Sequence, residues 1–242
     1  MRFLITGGAG FIGSHLAERL VRERLGSVIV LDNLYRGNTE NLSDCRDQVS
    51  FVKGDIRNVV LLEAITQGCT HVFHLASQSN VMGAVQHPDY TLSSNITGTH
   101  NVLQAARKAR VARVVFASSR EVYGESTVLP VLEDAPLLPK NLYGVSKLTG
   151  ELFCRLFARD SLETVVPRLA NVYGTRGSTT QSLRRATDAR SDLDRDRRRC
   201  SHALCVRSAV HRRTCQCGKR ERRRYHRTGS TYSRSNSVEV AC

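Results

Sequence analysis

The stretch Thr6-Gly7-Gly8-Ala9-Gly10-Phe11-Ile12-Gly13 constrains what this chain can fold into more than any other. Before it, Arg2-Phe3-Leu4-Ile5 reads as a short buried strand; after it, residues 14–21 read as an amphipathic helix. A strand, a tight glycine turn and a helix start make a cradle for phosphate. Gly7 permits a backbone angle that other residues avoid. Gly10 lets a pyrophosphate approach the main chain, where the free N–H groups of the helix start bind its charge. Gly13 lets the helix lie close on the strand. A glycine triplet alone reads equally as a flexible loop. Ser27-Val28-Ile29-Val30-Leu31-Asp32 decides between the two, because this second strand ends in a carboxylate 19 residues after Gly13. A dinucleotide site needs an acceptor for the adenosine ribose hydroxyls at that place. The segment is therefore expected to bind NAD. Asp32 would repel a 2′-phosphate, which favours NAD over NADP, although Arg36 nearby works against that preference.

Net charge is +14 for 242 residues, a balance that suggests a nucleic-acid or membrane partner. The average hides a break. Residues 1–175 hold 18 basic and 16 acidic residues, net +2, whereas residues 176–242 hold 18 and 6, net +12. The body is a near-neutral globular domain and the excess belongs to the tail. Met1 runs directly into a strand the fold needs, which leaves no room for a secretory signal. No apolar run approaches the ~20 residues of a membrane span. Cys45, Cys69 and Cys154 have no ligand spacing and read as reduced, packed thiols of a cytoplasmic protein.

Further strands are expected at residues 49–56, 71–76, 113–119 and 163–174, with helices at 58–67, 90–109 and 141–158. Strands alternating with helices predict an α/β fold with a doubly wound parallel sheet of Rossmann type. Pro167 falls inside the last expected strand and predicts a frayed or bulged place there. Asp55 is placed to reach an adenine amino group, or else caps the helix after it. His74 in its apolar run reads as a hydrogen-bonded core histidine. Ser77-Gln78-Ser79 follow at the carboxyl end of the fourth strand, where open sheets bind ligands. Asn95 either holds a water or backbone group or is a solvated amide.

Tyr143-Gly144-Val145-Ser146-Lys147 sits at a helix start, and positions i and i+4 share a helix face. A tyrosine near pKa 10 is a poor base at neutral pH, but an adjacent ammonium and a positive nicotinamide ring both favour its phenolate. Such a pair beside NAD can take a proton from an alcohol while hydride leaves its carbon. Ser119, at the end of the fifth strand, can bond the same substrate oxygen.

With these residues in order, the chain resembles the extended short-chain dehydrogenases/reductases of the nucleotide-sugar epimerase and dehydratase family. The matching pieces are residues 6–13, Leu31-Asp32-Asn33, Gly54-Asp55-Ile56, His74-Leu75-Ala76, Asn95, residues 118–124, 143–147 and 168–174. The resemblance implies that Gly7, Gly10, Phe11, Ile12 and Gly13 hold the pyrophosphate. Asp32 and Asn33 would take the ribose, and Asp55 and Ile56 would flank the adenine. Leu75, Ala76, Ser77 and Asn95 complete the cofactor site. Lys147 would hold the nicotinamide ribose and lower the Tyr143 pKa, with Tyr143 as base and Ser119 as its partner. Asn171 would face the diphosphate of a nucleotide-sugar substrate. The resemblance further implies a homodimer through the helices at 90–109 and 141–158. A 4-epimerase needs only the Ser, Tyr and Lys. The sugar dehydratases carry an Asp-Glu pair where this chain has Arg120-Glu121, and arginine donates no proton near neutral pH. That argues against a 4,6-dehydratase, while Glu121 keeps a decarboxylase reading open; its other reading is a solvated loop carboxylate.

The resemblance stops near Gly177, so two segments are expected: a cofactor-binding domain at 1–177 and a basic, Arg/Cys-rich tail at 178–242. The cysteines and histidines of the tail lack the spacing of a zinc site. A disordered arm binding phosphates of nucleic acid is a second reading, weakened by the scarcity of aromatics. The composition, 17 Arg to 1 Lys with abundant Ser, Thr, His and Cys, favours a third: an out-of-frame translation. On that reading the substrate lid is missing and the chain as given is inactive.

Overall fold

The computed structural model describes residues 1–126, 129–177 and 239–240. The chain divides into two compact units, Met1–Asn171 and Val172–Ala241. In the first unit the strands are β1 (Arg2–Thr6), β2 (Ser27–Asp32), β3 (Val49–Lys53), β4 (His71–His74), β5 (Arg113–Phe116), β6 (Ser118–Ser119), β7 (Glu163–Val165) and β8 (Arg168–Leu169). Six of them form one sheet in the order β3-β2-β1-β4-β5-β7, and every pairing in it is parallel. The doubly wound Rossmann-type fold expected from the sequence is present. The order reverses between β1 and β4, which opens a crevice at their carboxyl ends, the place where such sheets bind ligands.

Both sheet faces are covered. Leu4, Leu31, Val72 and Phe116 join one cluster with Leu62, Leu103 and Phe157 from the helices α2 (Val59–Thr66), α5 (Gly98–Lys108) and α6 (Leu142–Arg159). The alternate strand residues Phe3, Ile5, Val28 and Val30 are buried as well. Strands sunk on both faces read as unbroken apolar runs, which is why β1 and β2 were legible without alternation.

Two expected elements differ. The helix expected at 90–109 is a succession of α4 (Pro88–Thr91), a π-helical turn at Leu92–Thr97, and α5. The last expected strand is broken at Pro167. β7 ends at Val165 in the main sheet, and β8 resumes beside β6, the continuation of β5, with Ser118 opposite Arg168 and Ser119 opposite Leu169 in the register already set by Arg113 opposite Glu163 and Val115 opposite Val165. Pro167 has no N–H for a ladder, yet its carbonyl accepts from the Ser118 N–H at 2.9 Å. The ladder is therefore interrupted at the proline and resumes beyond it in the same register. Cys45, Cys69 and Cys154 are buried and in no disulfide among the described residues. No helix among the described residues is long and apolar enough to cross a membrane.

In the second unit β9 (Val172–Tyr173) pairs antiparallel with β10 (Glu239–Val240). The expectations for 178–242, namely an out-of-frame or phosphate-binding tail and a missing substrate lid, otherwise lie outside the described residues.

Candidate active site

The glycine turn leads from β1 into α1 (Phe11–Arg22). Gly7 has φ +72°, and a Cβ there would meet the Ala76 nitrogen at 2.7 Å, so no other residue lets the turn pass β4 this closely. A Cβ on Gly13 would stand 2.3 Å from the Gly7 carbonyl oxygen. At Gly10 it would meet only that oxygen, at 3.2 Å, leaving the outward side clear of protein. The helices α2, α6 and α3 (Val81–Gln86) are capped by the side chains of Asn58, Asn141 and Asn80, whereas α1 begins at Gly10 with no side-chain cap. The first N–H groups of α1, at Phe11, Ile12 and Gly13, thus face the crevice without intrahelical partners.

Asp32 is buried and ties the turn to the loop after β2. Its carboxylate accepts from the Ala9 N–H at 3.0 Å and the Leu34 N–H at 2.8 Å. Burial raises its pKa, and those two bonds oppose the rise. Asn33 donates to Asp55 at 2.9 Å and to the Tyr90 hydroxyl at 3.1 Å. Asp55 is not a helix cap; Asn58 has that role. Its oxygens accept from the Arg57 backbone and guanidinium as well as from Asn33, and the Arg57 bond above all holds its pKa at about 2. Ile56 is buried against Gly98. Leu75 and Ala76 hang from Thr6 through their N–H groups, at 3.0 and 3.4 Å. Ser77 follows, half-buried.

Asn95 is no solvated amide. It lies in the π turn, 2 % exposed, and clamps Gln78 by accepting from its N–H at 2.7 Å and donating to its carbonyl at 3.1 Å. It also donates to Ser146 Oγ at 3.0 Å, reaching α6. His74 is the core histidine expected. The Thr99 hydroxyl donates to the Asn95 carbonyl at 2.6 Å, so His74 Nε2, 2.9 Å away, donates to Thr99 and Nδ1 accepts from Thr6 at 2.7 Å. Burial first, then the Lys147 charge, hold His74 neutral with a pKa near 3. Gln78, Ser146, Thr6 and Thr99 carry no local sequence signal for this chain of bonds.

Tyr143 and Lys147 share one face of α6, with the ammonium 5.7 Å from the phenol ring centroid. Lys147 is buried and donates to the Ala117 carbonyl at 2.9 Å; burial lowers its pKa to about 8. The Ser119 hydroxyl lies near enough to the Tyr143 hydroxyl to favour its ionised form. With the protein's own groups, the Tyr143 pKa is not lowered as expected. Burial pushes it up to about 12, with the Glu121 charge adding to the rise and the Ser119 hydroxyl and the Arg36 charge opposing it. Glu121 is held by Asn141 at 2.9 Å and by Arg120 at 3.4 Å. Asn171 is exposed, two residues after β8.

Residues 3–201 match the family model described as the NAD dependent epimerase/dehydratase family. The chain belongs to this family. A UDP-glucose 4-epimerase of Mycolicibacterium smegmatis is 39% identical over 181 residues, covering 73% of this chain and 58% of that protein. Among solved structures, the UDP-glucose 4-epimerase of Thermotoga maritima with UDP-glucose superposes with TM-score 0.69 at 37% identity, over 73% of this chain and 57% of that one. A dTDP-glucose 4,6-dehydratase of Streptomyces venezuelae with NAD bound gives TM-score 0.72 at 35% identity, over 79% and 62%. The match thus spans little more than half the length of these relatives. The site residues fit the family's cofactor. The uncapped α1 and the open side of Gly10 suit a pyrophosphate, and Asp32 keeps lone pairs for ribose hydroxyls beyond its two backbone bonds. Asp55, by contrast, has its acceptor positions taken up by Arg57 and Asn33.

Proposed function

We propose that residues 1–177 are the cofactor-binding and proton-transfer part of a nucleotide-sugar epimerase of the UDP-glucose 4-epimerase type. The observation that carries this reading is that Tyr143 and Lys147 share a face of α6 with Lys147 bound to Ala117 at the carboxyl end of β5, one strand over from β4 and two from the glycine turn of β1, and with Ser119 near the phenol. Gly7, Gly10, Phe11, Ile12 and Gly13 hold the NAD pyrophosphate. Asp32 and Asn33 take the ribose, Ile56 walls the adenine, and Leu75, Ala76, Ser77 and Asn95 line the remainder. When bound, NAD accepts the hydride from the sugar C4 carbon and returns it.

Tyr143 takes the proton of the C4 hydroxyl, and the C–O single bond becomes a carbonyl as hydride leaves the carbon. Ser119 donates to that oxygen and keeps it in line with the phenol. After the keto-sugar turns its other face, Tyr143 returns the proton as hydride comes back. A pKa of about 12 leaves the phenol protonated at neutral pH, so the base form depends on the positive charge that a bound nicotinamide would add. Asn171 follows the strand that pairs with the Ser119 strand, a placement that suits a contact with the sugar nucleotide.

The test is a chimera of residues 1–177 followed by the corresponding C-terminal part of the M. smegmatis enzyme. It should interconvert UDP-glucose and UDP-galactose, and Tyr143→Phe should lower turnover by more than ~100-fold, the scale of a lost general base. Near-normal turnover in that variant would remove Tyr143 from its role. Glu121, fixed by Asn141 and close enough to act on Tyr143, supports a second reading of water or carbon dioxide loss. Product analysis of the same chimera separates the two.

A further inference from the structure

The loop that leaves β2 is fastened along both of its legs. On the first, the Tyr35 N–H donates to Asn33 Oδ1 at 3.0 Å, and the Tyr35 ring lies against Tyr90 with centroids 4.5 Å apart. Asn33 itself is held by Asp55 and the Tyr90 hydroxyl. On the second leg, the Asn38 N–H and Asn41 Nδ2 both donate to the Ala9 carbonyl, at 3.0 and 2.9 Å, which ties the loop to the glycine turn. Between the legs, Gly37 lies so close on the Asp32 carboxylate that a Cβ there would stand 2.7 Å from Oδ1. Arg36 therefore starts from a fixed place beside the glycine turn.

Its side chain crosses the cleft. Nη1 donates to Ser79 Oγ at 3.1 Å, and Ser79 belongs to the loop after β4. β2 and β4 flank β1 in the sheet, about 10 Å apart at the usual strand spacing. A side chain reaching from one loop to the other spans the carboxyl end of β1, where the glycine turn leads into α1. Arg36 and Ser79 are both exposed, so their bond stands at the mouth of the cleft. Arg36 is also a cation without an acid. Arg57 and Arg120, in other loops at this edge of the sheet, each hold a carboxylate. Arg36 forms no ion pair among the described residues and gives one N–H to a neutral hydroxyl. The rest of its planar fork suits a phosphate. The glycine turn offers a diphosphate only neutral N–H groups, so a cation is what that place lacks.

We propose that Arg36 is a further cofactor-binding residue: seated on Ser79, its guanidinium closes over the glycine turn and pairs with the diphosphate of the dinucleotide. The inference rests on the glycine turn being the dinucleotide site. It gives the diphosphate the N–H groups of α1 on one side and a cation on the other. It also separates two roles open to a cation in this loop. An arginine shortly after the ribose carboxylate is placed in sequence to take a 2′-phosphate. The bond to Ser79 turns this one away from Asp32 and across the glycine turn.

Calorimetric titration of the nucleotide-free 242-residue chain with NAD, NADP, ADP-ribose, UDP and adenosine tests the assignment. Arg36→Gln should weaken NAD and ADP-ribose alike, by about ten- to a hundredfold, the scale of a lost charge-assisted bond. Adenosine, which carries no phosphate, should bind the variant as it binds the parent. NADP should weaken by the same factor as NAD. Arg36→Lys keeps the charge without the fork and should fall between parent and Arg36→Gln. An Arg36→Gln variant that binds NAD and ADP-ribose at parent affinity or tighter would overturn the proposal. So would an NADP loss well above the NAD loss, which would put the guanidinium on the 2′-phosphate. An equal loss of adenosine would overturn it as well, since the loop would then have come away as a whole. A fall confined to UDP would give the guanidinium to the diphosphate of a nucleotide sugar instead. A parent that binds no NAD counts against the proposed function too, whereas a parent that binds NAD beside an unaffected Arg36→Gln counts against Arg36 alone.

Discussion

Replacing Lys147 with methionine should stabilise the cofactor-free protein at pH 7 while damaging its site. The ammonium is buried, and burial lowers its pKa from 10.5 to about 8. That difference corresponds to about 3 kcal/mol against the folded state, at roughly 1.4 kcal/mol per pH unit. The sign follows from proton binding. Between pH 8 and 10.5 the unfolded chain keeps a proton that the folded chain has released, so stability rises with pH across this window. Below about 8 the whole cost is present. Methionine removes it, but leaves the Ala117 carbonyl without the bond it accepts from Lys147, a loss of about 1 kcal/mol. The variant should therefore be more stable than the parent by about 2 kcal/mol at pH 7, and less stable by about 1 kcal/mol above pH 10.5. Urea denaturation at the two pH values measures both. A Lys147→Met variant less stable at pH 7, or a difference that does not change with pH, would refute the reasoning. NAD affinity should fall in the same variant, so the lysine would be retained for its site and at the expense of stability.

Gly13→Ala should destabilise the chain by at least about 1–3 kcal/mol and abolish NAD binding, because its Cβ would lie 2.3 Å from the Gly7 oxygen and 2.6 Å from Gly8 Cα, both backbone; thermal melting and calorimetric titration check the two effects. The exposed Val145, Leu152 and Leu156 of α6 fall on one helix stripe and support the expected homodimer. Light scattering at micromolar concentration should give twice the chain mass for the parent and a monomer for Leu152→Asp, and a monomeric parent would remove the claim.

The glycine turn, Asp32 and the Tyr-x-x-x-Lys pair were legible because each is local: a few neighbouring residues and one helical turn hold the whole signal. His74 was legible in the same way, since a histidine inside an apolar strand has to find partners. Asn95 was not, because its burial depends on the π turn around it and on Gln78 and Ser146 from other elements. For Pro167 the sequence signal was a break, and the structure has one, but the ladder resumes beyond it beside β6 in unchanged register. Asp55 shows the opposite limit. Its place in the loop after β3 suggested an adenine contact, and what the sequence does not show is that Arg57, two residues on, bonds to both its oxygens. The Tyr143 pKa went against expectation for a related reason. Charge spacing is visible in sequence, whereas desolvation, the larger effect, is set by everything packed around the phenol.

The central claim is that the cleft beside Asp32 holds NAD. Asp32 is buried at the carboxyl end of β2, and on the proposed reading a 2′-phosphate on the ribose beside it would meet a fixed negative charge. Arg36, the nearby cation that was expected to soften this preference, instead donates to Ser79 at 3.1 Å, across the cleft. Calorimetric titration of the 242-residue chain with each cofactor is the direct measurement. One NAD per chain should bind, tighter than NADP by on the order of tenfold or more, the equivalent of about 1.4 kcal/mol. Equal or tighter binding of NADP, or no binding of either, would contradict the account.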